Sequence, residues 1–208
     1  MVDLIARSYA RILPLHARGK LLDLGCGKAP LYGSYKELVS SCVCVDWANT
    51  AHKNEHLDLE CDLTQPLPFA DGEFDTIILS DVLEHIPTPE ALCHEMARSL
   101  ALQGKLILNV PFFYGLHEEP HDFYRYTLHG IRHLLEKSGF MQLDIRPVGG
   151  YFRLLARRLL NGLQFFPGIW FVPAALLLGP PALVLPLLDG LDRERNFTLG
   201  YICTAKRR

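Results

Sequence analysis

The chain has 208 residues, 49% of them hydrophobic and 21% charged, with a formal net charge of −2. That length suits one domain with a single core and room for one insertion, and the composition is that of a folded globular protein. The near-neutral balance excludes the electrostatic footprint of a nucleic-acid binder, and the six cysteines form no CxxC pair and no zinc spacing.

Residues 1–19 place Leu4, Ile5, Tyr9, Ile12 and Leu13 at helical spacing, where a signal peptide would show an unbroken apolar run. An N-terminal helix and a cytoplasmic location are therefore expected. "KLLDLG" (20–25) reads as a buried strand, followed by a loop and a helix over roughly 31–39. "CVCVDW" (42–47) is a second strand, with Cys42 and Cys44 as core thiols on one face. "FDTIILSD" (74–81) is another, then a helix near 89–100 with Gly104 as its stop signal. "KLILNVPF" (105–112) is a strand, and 127–140 a helix closed by Gly139. "MQLDIRPV" (141–148) and "FTLGYICTAK" (197–206) alternate as strands do. Strand–helix alternation implies an α/β fold, a doubly wound and mostly parallel sheet with helices on both faces. The expected organisation is one domain: helix 1–19, cofactor-binding core 20–148, hydrophobic insertion 149–195 and final strand 196–206.

The first strand runs into "DLGCGKAP" (23–30), where Gly25 and Gly27 allow a tight turn and close backbone approach to a ligand. Asp46 ends the second strand, 19 positions after Gly27, where an acid can accept hydrogen bonds from both ribose hydroxyls. A dinucleotide fingerprint needs a third glycine at position 30, which is Pro30. A carboxylate at Asp23 would repel a pyrophosphate but pair with an ammonium. S-adenosylmethionine carries an ammonium, a ribose diol, an adenine and a sulfonium, and no phosphate.

"LLDLGCGKAP", "VCVDW", "CDLTQPLPFADGEFDTIILSDVLEHI" and "GKLILNVPF", in this order, resemble the successive motifs of class I S-adenosylmethionine-dependent methyltransferases of the type 11 branch. The resemblance covers about 20–148 and returns at 197–206, and it implies a Rossmann-like seven-stranded sheet ending in an antiparallel strand. It implies that Asp23, Gly25, Cys26 and Gly27 hold the methionine part. Asp46, with Trp47 beside it, would bind the ribose, Asp62 and the Leu63 backbone the adenine, and Ser80 would line the sulfonium region. The family's usual third loop glycine is Ala29 here.

Methyl transfer is an in-line displacement, so the acceptor should lie beyond the C-terminal ends of the fourth and fifth strands. Two polar clusters fall there: "SDVLEHIPTP" (80–89) and "GLHEEPHDFYRYT" (115–127). The second is expected to be an acceptor-side lid. His121 and Tyr124 of the lid and His85 of the first cluster are the candidate catalytic residues, and His117, Asp122 and Arg125 the candidate substrate contacts. Arg125 is expected to meet an anionic group and Asp122 to orient His121. Asp81, Glu84, His85 and His121 also resemble the metal site of small-RNA 2′-O-methyltransferases. Glu84 and His85 are read instead as braces of the sheet edge, and no metal ligand is assigned.

About 48 residues lie between Val148 and Phe197, far beyond a hairpin loop. "YFRLLARRLLNGLQFF" (151–166) puts Arg153, Arg157, Asn161 and Gln164 on one stripe of a basic amphipathic helix suited to an anionic membrane. From Leu159 to Leu188 no charge appears, but five prolines interrupt the run. "GPP" (179–181) is expected to bend it into two short limbs. Those limbs could dip into one leaflet, form a lid, or pair two copies as a homodimer. The expected function is methyl transfer to a hydrophobic or lipid-linked acceptor at the cytoplasmic membrane face, with 151–190 as a peripheral contact. The alternatives are a soluble small-molecule acceptor, a nicotinamide oxidoreductase and a non-catalytic binding module.

Overall fold

The computed structural model describes residues 2–48 and 54–208. Helix α1 (Val2–His16) leads into β1 (Lys20–Leu24), the one-turn α2 (Tyr32–Tyr35), β2 (Ser41–Asp46) and the two-residue β3 (Leu59–Glu60). Then follow β4 (Phe74–Ser80), α3 (Pro89–Ser99), β5 (Leu100–Pro111), α4 (Leu128–Lys137) and β6 (Phe140–Val148). Helices α5 (Tyr151–Gly162) and α6 (Phe171–Val184) form the insertion, and β7 (Gly200–Arg207) closes the chain. The seven strands order as β3-β2-β1-β4-β5-β7-β6, with β7 antiparallel to both of its neighbours. The expected fold class is the observed one.

Side chains alternate across the sheet and so build two cores. Leu22, Leu24, Ile77, Leu79, Leu106 and Leu108 face α3 and α4. Leu21, Ile78, Ile107 and Ile202 face Tyr9, Ile12 and Leu13 of α1. Asp23 is two residues on from Leu21 and therefore shares the α1 face, at the C-terminal edge of the sheet. Ligands of open parallel sheets bind at that edge, where strand order reverses between β1 and β4.

Several boundaries differ from the sequence reading. The helix expected over 31–39 is a single turn, since Gly33 and Ser34 disfavour continuation. Helix α3 stops without a glycine: the chain enters β5 at Leu100, and Gly104 lies inside that strand. The amphipathic helix ends at Gly162, not at 166. The final strand begins at Gly200. "GPP" does not bend the chain into two limbs, because α6 runs through Pro180 and Pro181 to Val184 and short 3-10 turns continue to Leu191.

The base of the α5–α6 hairpin is held by two acids. Asp192 Oδ2 accepts from the Tyr151 N–H at 2.7 Å, and Asp189 accepts from the Arg153 N–H and Nε at 3.2 and 3.0 Å. These carboxylates satisfy the free N–H groups at the start of α5, whose own N-cap is a glycine. The basic stripe is consumed on the domain side. Arg153 pairs with Asp189, the Arg157 guanidinium lies 4.5 Å above the Tyr114 ring, and Arg158 donates to the Phe113 carbonyl at 3.0 Å. Most leucines of 160–191, together with its phenylalanines and Trp170, are left exposed, while Leu163, Leu178 and Leu185 are half-buried.

Candidate active site

The loop after β1 holds three left-handed residues at alternate positions, Gly25, Gly27 and Ala29, with φ of 65°, 55° and 49°. Ala29 thus keeps the backbone conformation for which the related loop uses glycine. A Cβ on Gly25 would fall 2.5 Å from Val82 Cγ2, so this residue answers to both conformation and space. Gly25→Ala is expected to destabilise the fold by about 2 kcal/mol, a drop of roughly 4–8 °C in Tm measured by calorimetry. At Gly27 the added atom meets nothing within 4 Å, and there the requirement is conformational alone. The Cys26 N–H donates to the Val45 carbonyl at 3.0 Å, tying the loop to β2.

Asp23 is buried, and its Oδ2 accepts from the Tyr35 hydroxyl at 2.8 Å. Burial pushes its carboxyl up to about 7. A cationic ligand group would offset that cost. Asp46 is buried at the end of β2, where Oδ1 accepts from the Trp47 N–H at 2.9 Å. Asp62 is exposed and its Oδ1 accepts from the Thr64 N–H and hydroxyl, while Leu63 is buried beside it. Ser80 ends β4 and donates to Asp81 Oδ2 at 3.4 Å. The Tyr9 hydroxyl, from α1, is buried without a hydrogen-bond partner among the described residues, near Ser80, Asp81 and Asp23. These residues fit S-adenosylmethionine: an acid for the ammonium, a second acid for the ribose and a backbone cradle.

The second half of the site is a clamp between the turn 83–87 and the lid. Phe123 and Tyr124 donate their N–H groups to the Glu84 carbonyl at 2.9 and 3.2 Å. The Tyr124 hydroxyl donates to the Pro87 carbonyl at 2.9 Å, and the Tyr126 hydroxyl to the Leu83 carbonyl at 3.0 Å. The His121 ring sits edge-on to Trp47 at 5.5 Å, linking the lid to the end of β2. Its carbonyl accepts from His85 Nδ1 at 2.7 Å.

Three expected roles are corrected by this geometry. Arg125 is fully engaged within the lid, donating to Asp122 at 2.6 Å and to the Gly115 and Tyr124 carbonyls at 2.7 and 2.6 Å, so it locks the loop and does not face an acceptor anion. Its guanidinium holds the Asp122 carboxyl well below the usual range. Asp122 orients His117, not His121, by accepting from the His117 N–H at 2.9 Å and facing Nδ1 at 3.4 Å. Tyr124 spends its hydroxyl on Pro87 and braces the lid.

The sequence reading weighed Glu84 as part of a metal-binding quartet and preferred it as a brace. It is fully buried, and neither carboxylate oxygen has a hydrogen-bond partner among the described residues. Burial and the charge of Asp81 push its carboxyl up to about 8. Its Oε1 lies 3.9 Å from His85 Nε2 and 3.8 Å from His117 Nε2. Asp81 is tied to Asn109 Nδ2 at 2.7 Å instead. The quartet Asp81, Glu84, His85 and His121 is therefore not assembled; His117 completes the group.

Residues 22–108 match the family described as a methyltransferase domain. The chain is similar in structure to the cyclase SpnF, with a TM-score of 0.62 and 18% identity, covering 99% of this chain and 80% of that one. It is similar to an S-adenosylmethionine-dependent methyltransferase from Archaeoglobus fulgidus, with a TM-score of 0.62, 15% identity, and 99% and 93% covered. A third similar structure is Haemonchus contortus phosphoethanolamine N-methyltransferase 2, in complex with phosphomonomethylethanolamine and S-adenosylhomocysteine. There the TM-score is 0.59 and identity 18%, with 99% of this chain and 52% of that one covered. No curated protein matches the sequence.

Proposed function

We propose that this chain is a class I S-adenosylmethionine-dependent methyltransferase that methylates a hydrophobic or lipid-linked acceptor at a membrane surface. When bound, S-adenosylmethionine supplies the electrophilic methyl carbon. Asp23, Asp46 and the Gly25–Gly27 backbone would hold it, and the Trp47–His121 contact would close the lid over its ribose end. Glu84, His85 and His117 line the side from which an acceptor would enter.

One observation carries the membrane part of this reading. Gly168–Leu191 is a 24-residue helical stretch, long and apolar enough to cross a membrane, and almost none of it is buried. A soluble monomer rarely leaves so large a contiguous apolar surface open to water. The same hairpin touches the lid, through Arg157 on Tyr114 and Arg158 on the Phe113 carbonyl, and Tyr114 in turn contacts His117. A greasy acceptor lying in the leaflet would thus have a short route to the site.

Flotation of the intact protein with anionic liposomes tests the reading. The protein is expected in the lipid layer. A protein that remains below it as a monodisperse dimer would make the hairpin a subunit interface and direct the acceptor search to soluble metabolites.

A further inference from the structure

We propose that Glu84, His85 and His117 bind a divalent transition-metal ion. The ligand atoms of these three residues all lie within 4.8 Å of one another, one on the buried turn after β4 and the others on its neighbour and on the lid. Two imidazoles and a carboxylate are the protein donor set of open zinc sites. The 3.8–3.9 Å separations from Glu84 Oε1 need to shrink only by a few tenths of an ångström for a shared ion.

Two further features point to a cation and not to a bare hydrogen-bonded cluster. Glu84 is a fully buried carboxylate with both oxygens unpartnered among the described residues, a costly arrangement that a cation would relieve. Each imidazole is also oriented from behind. The His121 carbonyl accepts from His85 Nδ1, which leaves Nε2 bare toward Glu84. His117 Nδ1 is taken up by the Gly115 carbonyl at 3.3 Å, the Asp122 carboxylate at 3.4 Å and Arg125 Nη2 at 3.4 Å, and its Nε2 faces Glu84. Backbone carbonyls and carboxylates behind ligating histidines fix the tautomer in this way. Arg125, which holds Asp122 and the Gly115 carbonyl, sets that outer shell. Glu118 Oε2, 3.8 Å from His85 Nε2 on the exposed side, is in reach as a fourth ligand. Only the role of the ion rests on the methyltransferase reading: it would polarise an acceptor hydroxyl at the lid end of the site.

The test uses Co2+ and Zn2+ with the chelator-treated protein and no methyl donor. Calorimetry is expected to show one ion per chain, and the Co2+ spectrum to lack a thiolate charge-transfer band, since no cysteine takes part. His117→Ala and Glu84→Gln should each weaken binding at least roughly 10- to 100-fold, the loss that even outer-shell partners cause. S-adenosylhomocysteine affinity, measured on the same samples, should stay within twofold and certifies the fold. Should the buried Glu84 variant misfold, the lid variant His117→Ala decides. Absence of saturable binding, a thiolate band, or undiminished affinity in His117→Ala would overturn the proposal and leave the methyltransferase reading untouched.

Discussion

Asp23→Asn is expected to weaken S-adenosylmethionine binding by about 2–4 kcal/mol, roughly 30- to 1000-fold, because it removes a buried charge that pairs with the ligand's ammonium. The wild-type carboxyl carries a pH signature that the asparagine cannot. Its folded value of about 7 lies above the ordinary carboxylate value, so the unliganded fold is favoured by protonated Asp23. That contribution is whole below the unfolded value near 4 and is lost as pH rises to about 7, by about 4 kcal/mol at most. An ammonium held beside it favours the ionised form and pulls the value back down. Binding at pH 6 should therefore release close to one proton, and affinity should rise from pH 5 to 7 and then level off. Titration calorimetry in two buffers of different ionisation enthalpy reads the proton directly. Proton release that survives in Asp23→Asn would mean another group titrates.

The second large effect concerns the hairpin. Ile169, Leu176, Leu183 and Leu187 are 83%, 73%, 78% and 81% exposed, so changing all four to serine removes apolar surface without opening a core. Each such side chain is worth about 2 kcal/mol when taken from water into hydrocarbon. Even a third of that sum would lower vesicle partitioning roughly 100-fold. Salt should have little influence, since the arginines of α5 are spent on Asp189, Tyr114 and the Phe113 carbonyl. Affinity for S-adenosylhomocysteine should be unchanged, because β1, β2 and the glycine loop do not touch these residues. If the variant changes from dimer to monomer instead, with no loss of vesicle binding, the surface pairs subunits.

The centre of the sheet was legible in the sequence because β1, β4 and β5 are buried on both faces and read as short apolar runs, and β6 because its side chains alternate between cover and solvent. The glycine loop and Asp46 were legible for a similar reason: backbone conformation and strand ends dictate those residue types locally. The lid was not. Which of His117 and His121 turns toward Glu84 depends on hydrogen bonds across the clamp, including the His121 carbonyl on His85, and spacing carries no trace of them. The Asp122–Arg125 lock was readable in principle, since i and i+3 partners of opposite charge satisfy one another before they meet a ligand. Tyr9 was legible as a core residue, since helical spacing places it on the face that packs on the sheet. The prolines misled in the other direction. Pro173 is the third residue of α6, where no helical N–H is needed, and Pro186 sits at the start of the following 3-10 turn. Only Pro180 and Pro181 remove donors within α6, and the helix continues past both.

Transfer of a labelled methyl group tests most directly the proposal that a cofactor site and a membrane-binding hairpin work together in one enzyme. Protein, S-adenosylmethionine labelled in the methyl group and vesicles of a total membrane lipid extract would be incubated and then partitioned between organic solvent and water. The predicted result is label in the organic phase with the native chain, and its loss in the four-serine variant despite full cofactor affinity. Label confined to water-soluble small molecules, at equal rates for both proteins, would contradict it.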